Sequence, residues 1–418
     1  MYQSLTTHLA LGELLVTLGE WETAVSHLSS AADFAQQLQD ADALVMTRRW
    51  LARSHELRGD YPPALKWIED GLAILAGRET PDAIELRITA GLIHTRQGDY
   101  EQALAQCQQS LAMADRIVAT NPSPTVQAAL GRGTNLLGVI VRLGSGSQAA
   151  LPHFEEASEI YRQAENIHGR GLALNHLATA YFDLGQWDKA AAIYKEARAI
   201  FDRIGDVYHR LLIDNNLGGI ALNQGRLDEA RDAYQAALQT LTQMGGSQWV
   251  MGALHLNLGA TYVRRQEIGT AFDHLVQSEA LFAEAEVRDL LPELYRHFAR
   301  AALLKGDLAT ASDYGQQALG VGNELAMHSE IGKIERVLGT IAVAQGKTAV
   351  AEQHYTQGLR LLEEASEEYE LACCQLDLAE LYQQQGDGTR SEVLLASCGP
   401  TLTRLGARLE LDRIAAFG

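Results

Sequence analysis

Few residues of this 418-residue chain stand at the spacings that chemistry requires. Gly346-Lys347-Thr348 resembles the end of a phosphate-binding loop, but that loop needs a glycine five residues before Gly346, where Ile341 stands. Gly131-Arg132-Gly133 and the Gly-Ser run from Gly144 lack the strand that a dinucleotide site requires. The thirteen histidines contain no HExxH pattern and no close His/Cys cluster at metal-ligand spacing. The four cysteines, Cys107, Cys373, Cys374 and Cys398, form no CxxC pair, and the adjacent two point to different sides of a helix. They read as small core residues in a reducing compartment. Carboxylates are spread over what would be solvated helix faces. Neither a catalytic activity nor a metal or cofactor is expected.

Composition narrows the remaining classes. Hydrophobic residues make up 47% of the chain and there are only 8 prolines, which suits a folded, mostly helical protein. With 53 acidic against 34 basic residues the formal charge is −19. Such a surface repels phosphate backbones and anionic lipid, so nucleic acid and membrane are not expected partners. The first residues have no basic stretch and no small-residue cleavage site. No window reaches the ~18 apolar residues of a membrane span. A cytoplasmic location is expected.

The elements that must carry any function follow from an internal repeat. Segments such as LGEWETA, QGDYEQA, LGQWDKA and QGRLDEA align on turn glycines at Gly19, Gly59, Gly98, Gly185, Gly225, Gly306 and Gly346, with further turns at Ser145, Gln266 and Gly386. The period is 40 residues, with one insertion between the third and fourth turns. Seven residues before each turn stands Gly or Ala, from Gly12 to Ala379. Five after it stands Ala, from Ala24 to Ala351, broken only by Ser391. Twelve after it a small residue recurs, from Ala31 to Cys398. Each unit therefore reads as two antiparallel helices, the first closed by a left-handed glycine and the second opened by a capping Asp such as Asp60, Asp99 or Asp307. Asp99 with Gln102 makes a capping box. Trp21, Tyr61, Tyr100 and Trp187, two residues past the turn, are expected to plug the gap between hairpins. One hairpin cannot bury its apolar face alone, so the units must stack.

A small residue after Leu, a turn glycine seven on, Ala five beyond it and a small residue seven beyond that resemble the tetratricopeptide repeat. A unit of 40 rather than 34 residues is similar to the long variety found in kinesin light chains and bacterial multidomain signalling regulators. The resemblance implies an all-α, right-handed superhelical solenoid of about ten hairpins over residues 1–418. Within it, the insertion at 117–133 reads as a longer loop, the alternative being a break between two sub-arrays, and a C-terminal capping helix is expected at about 400–417. The chain opens without a helix ahead of the first unit, as a portion of a longer protein would.

In such arrays the first helices line a concave groove, with residues thirteen, ten, nine and six before the turn facing inward. Here those positions hold Arg132, Asn135, Asn175, His176, Asn215, Asn216, Asn257, Arg296, His297, Arg300, Lys333 and Arg336. Asn side chains donate to and accept from an extended backbone, and Arg offers paired donors to a carboxylate. The resemblance thus implies a non-catalytic protein-interaction scaffold or adaptor that takes an acidic or extended peptide or protein segment. The alternative is the regulatory sensor arm of a larger bacterial signalling protein carrying an ATPase, a cyclase or a transcription activator.

Overall fold

The computed structural model describes every residue except Gly245, Phe417 and Gly418. The described residues form twenty-one helices and no strand. The first helices of the ten hairpins are α1 (Tyr2–Leu18), α3 (Ala41–Arg58), α5 (Pro81–Gln97), α7 (Pro124–Ser145), α9 (Ile167–Asp183), α11 (Val207–Asn223), α13 (Gln248–Arg264), α15 (Leu291–Lys305), α17 (His328–Ala344) and α19 (Glu368–Gln384). Their partners are α2 (Trp21–Leu38), α4 (Tyr61–Leu75), α6 (Tyr100–Thr120), α8 (Ser147–Gln163), α10 (Trp187–Ile204), α12 (Leu227–Gln243), α14 (Ile268–Glu284), α16 (Leu308–Glu324), α18 (Thr348–Glu364) and α20 (Gly388–Leu405), with α21 (Arg408–Ala415) last. Each helix packs on the next in sequence and each first helix on the following first helix, which winds the array into a right-handed superhelix.

The small columns sit where helices cross. A Cβ on Gly218 would stand 2.7 Å from the ring of Tyr234, and one on Gly339 2.6 Å from that of Tyr355. Ala230, five residues past its turn, is completely buried. Nine of the ten expected turns hold a left-handed residue where the repeat places it, including Gln266 at φ 60°. The fourth does not. There α7 runs through Ser145 and the chain turns on Gly146, at φ 89° and ψ 165°, a conformation open only to glycine.

The capping expectations divide. Asp99 accepts from Gln102 N at 3.1 Å and Asp307 from Thr310 N at 3.1 Å. Asp60 caps nothing, because Pro62 and Pro63 remove the amides it would bind; its carboxylate lies 2.8 Å from His55 Nδ1 instead. The insertion is not a long loop. It extends α6 to Thr120 and opens α7 at Pro124, capped by Ser123, and buried Met113, Ala114, Val126 and Ala129 carry the core across it. The C-terminal helix is also shorter than expected. α20 passes through Pro400 and stops at Gly406 (φ 67°), so only Arg408–Ala415 forms the last helix; residue 417 lies outside the described residues.

Successive turns of the superhelix touch along its axis. Trp21, at the turn of the first unit, meets Tyr208 edge-on at 5.3 Å, five hairpins further on. Arg96 reaches Asp289 at 2.7 Å, and its carbonyl accepts from Arg288 N at 2.8 Å. Arg404 donates to the carbonyl of Gly185 at 3.1 Å, and Gln224 to that of Leu405 at 3.3 Å. The turn aromatics therefore plug a seam between distant hairpins rather than a gap between neighbours. One buried cluster accordingly contains residues from both Val16–Ile140 and Tyr208–Ala301. Each buried aromatic there stabilises by about 2–3 kcal/mol.

Candidate functional site: a charged lumen

Because the seam closes the wall, the inner faces of the first helices surround a lumen. A cavity of about 340 Å³ within it runs from the ends of α5 and α7 to the start of α19. That volume lies at the small end of ligand pockets, ~300–1,000 Å³. Of the inner-column residues, Asn215, Asn216, Asn257, Arg296, His297, Arg300 and Lys333 line it. Arg336 lines a second, 200 Å³ cavity shared with Arg300, Asp377 and Arg413. Arg132, Asn135, Asn175 and His176 lie outside both.

The inner columns bond largely to one another. Nδ2 of Asn216 donates to Asn175 Oδ1 at 2.9 Å, and Nδ2 of Asn257 to Asn215 Oδ1 at 2.8 Å. Asn135 sits 2.9 Å from His176 Nδ1. Arg132 pairs with Glu85. The Asn and His contacts join the residue ten before one turn to the residue nine before the next, so an amide ladder climbs the inner wall. Asn215 also donates to Asn216 Oδ1 at 3.2 Å, and each Asn keeps donor and acceptor capacity beyond these bonds.

The cations are mostly neutralised. Arg296 pairs with Glu330 at 2.5 Å, Lys333 with Glu367 at 3.2 Å, and Arg336 with Asp377 at 2.6 Å and Glu370 at 2.7 Å. Around the main cavity six such cations (Arg96, Arg142, Arg264, Arg296, Arg300 and Lys333) face six carboxylates (Asp183, Asp289, Glu293, Glu330, Glu367 and Glu370). Burial opposes ionisation of Glu370, but Arg336, Arg296 and Lys333 outweigh it and hold its carboxyl down to about 2. Burial dominates at Glu330 and Glu367 and raises both.

Arg300 differs. Among the described residues no carboxylate or hydrogen-bond acceptor pairs with it, and burial followed by the fields of Arg336, Arg264 and Arg296 lowers its guanidinium to about 10. An unpaired guanidinium at the junction of two cavities can hold a carboxylate or another oxyanion. His297 is lowered to about 4, first by burial and then by Arg296, so it faces the lumen as a neutral imidazole.

The inner columns missed most of this lining. Arg96, Arg142, Asp183 and Arg264 stand two or three residues before their turns, Asp289 and Glu367 lie at linkers, and Tyr369 lies in the first turn of α19. A charged residue recurring just before the turn was the available signal. The pairing of those ends with linkers five units on depends on superhelical pitch. A further group outside the lumen, His168, Asp206 and His209, also went unforeseen, since it joins two units.

No helix of the described residues is long and apolar enough to cross a membrane. Tetratricopeptide-repeat family models match residues 134–203 and 209–284, and residues 5–30 and 84–109. No curated protein sequence matches the chain. Among solved structures, a Rap protein complexed with competence and sporulation factor is 13% identical, with a TM-score of 0.59 over 96% of this chain and 99% of that one. A plasmid Rap conjugation gene regulator in complex with a Phr peptide is 14% identical, with a TM-score of 0.58 over 86% and 95%. Aspartyl phosphate phosphatase F from Bacillus subtilis is 12% identical, with a TM-score of 0.51 over 85% and 93%. At these identities the likeness concerns the fold. With the 40-residue register, the ten hairpins and the matched segments all in agreement, the chain belongs to the tetratricopeptide-repeat family.

Proposed function

We propose that the chain is a non-catalytic binding module that takes an extended peptide or protein segment along its lumen. The observation that carries this reading is the unpaired Arg300 among spare Asn amides, in a cavity where the other cations have carboxylate partners. The amides bond the backbone of the segment and Arg300 receives a carboxylate on it. The acidic preference thus rests on one residue rather than on a basic groove. The peptide complexes recorded for Rap proteins of the same fold support a peptide as the occupant. Entry is along the superhelix axis or through a transient opening of the seam.

The test is selection from a displayed random-peptide library, followed by fluorescence anisotropy with the wild type and Arg300→Leu. Selected peptides should carry a carboxylate and lose about tenfold or more in affinity for Arg300→Leu, the ~1.5–3 kcal/mol of a charge-assisted hydrogen bond. Peptides that bind both proteins equally would place recognition outside the lumen.

A further inference from the structure

The histidines at the starts of two successive hairpins have no part in the lumen. His168 on α9 and Asp206 with His209 at the start of α11 bring three ligand atoms within 4.8 Å of one another. Asp206 Oδ2 lies 2.9 Å from His168 Nε2 and 2.7 Å from His209 Nδ1. Its other oxygen is held by the backbone, accepting from His209 N at 3.0 Å as the cap of α11. The carboxylate is therefore fixed in place before any ion arrives. Its side chain is 5% exposed and that of His209 12%, while His168 at 39% faces solvent and leaves a path inward. The His209 ring is packed against Phe201 at 5.2 Å, 24° from parallel.

Nothing in the fold requires this trio. At the position of His168 the neighbouring repeats have Tyr208, Trp249 and Ser329, and at that of His209 they have Gly169, Val250 and Glu330. The preceding hairpin caps its first helix with Asn166, which accepts from Gly169 N at 2.7 Å without any imidazole. We propose that His168, Asp206 and His209 form a binding site for a divalent transition-metal ion of the Zn²⁺ type, linking the fifth and sixth hairpins. Two imidazoles and a carboxylate suit such an ion, with water in the fourth position.

The geometry requires a small adjustment. Ligand atoms around a tetrahedral Zn²⁺ are ~3.3 Å apart at bond lengths of ~2.0–2.1 Å. The two short contacts must therefore open by roughly half an ångström, which the exposed His168 can supply. Each imidazole must present a lone pair at the nitrogen now facing Asp206. For a neutral ring this is a change of tautomer; a charged ring releases one proton, so uptake weakens at acid pH. Arg53 on α3, paired with Glu56, is the cation whose field reaches His209. The ion would also brace Tyr208, the seam partner of Trp21. This inference is independent of the lumen reading.

The experiment uses the untagged full chain, stripped with chelator and titrated with Co²⁺ alone and then Zn²⁺, followed by calorimetry and visible absorption. One Co²⁺ per chain with four-coordinate absorption, displaced by Zn²⁺, is expected. Asp206→Asn keeps the helix cap and removes the charge, and His168→Ala removes the half-exposed ligand. Each should weaken binding by ~100-fold or more, beyond the 10–100-fold of outer-shell changes. Absence of stoichiometric uptake by the wild type overturns the proposal. So does uptake that persists unchanged in His168→Ala, which would assign the ion to another pair such as His255 and His274.

Discussion

Arg96→Ala should open the axial seam and can be read at a single contact. Asp289, 193 residues further along the chain, has a side chain only 2% exposed, and Arg96 is its sole ion-pair partner among the described residues. Removing one member of a buried pair costs about 3–5 kcal/mol; because Arg96 itself is 28% exposed, the lower end is expected at pH 7. Arg96 also lies 4.1 Å over Trp249, so tryptophan fluorescence reports the contact while far-UV dichroism follows urea unfolding. Burial raises the Asp289 carboxyl above its ordinary 3.8, and Arg96 opposes the rise. A carboxyl raised in the folded state takes up a proton on folding. Its penalty is full above the folded pKa and vanishes below 3.8. Without Arg96 the carboxyl climbs further, so the variant's deficit relative to wild type should shrink as pH falls from 7 toward 4. Replacing both partners by apolar residues, Arg96→Met with Asp289→Leu, should return most of the loss. A single-variant loss below about 1 kcal/mol with no pH dependence would mean that the seam does not hold the superhelix closed.

Ala230→Trp overpacks a crossing with no free space and should cost about 3 kcal/mol in urea unfolding; unchanged stability would contradict the helix register. Burial, then Arg142 and Arg96, hold the His176 imidazole down to about 3. A base lowered on folding contributes stability that is full above its ordinary 6.5 and is lost as pH falls toward 3. His176→Gln should therefore flatten the decline in urea midpoint between pH 6.5 and 4, and an identical decline would exclude this role. Arg300→Leu removes a charge held among other arginines and should unfold at no lower urea concentration than wild type; a clear loss would reveal a structural partner. Burial pushes the Cys107 thiol up to about 12 and raises the other three, so native chains should react with a thiol reagent only as fast as they unfold. Rapid labelling of the native protein would refute that.

Most of the local structure was legible in the sequence. Turn glycines at a 40-residue period, the Gly and Ala columns and the Leu before them specify helical hairpins, because left-handed closure and close helix crossing each admit few residue types. The local misreadings have local causes. Asp60 lost its cap to two prolines, the fourth turn slipped to Gly146, and the insertion became extra helix because Ser123-Pro124 starts α7 cleanly. The lumen was only half legible. Seven of the twelve inner-column residues line the main cavity, but Arg296 and Lys333 are spent on carboxylates outside the inner columns, and Arg336 on Asp377. Which turn meets which linker depends on the small rotation between hairpins summed over about five units, whereas which cation stays unpaired and which histidines converge depend on the packing of neighbouring units. A change of a few degrees at each crossing would move Arg96 away from Asp289 without altering a single column. The sequence determined the unit and the order of stacking; the closure of the wall, and with it the charge of the lumen, belongs to the tertiary structure, because accumulated rotation is a property of the whole stack and not of any segment.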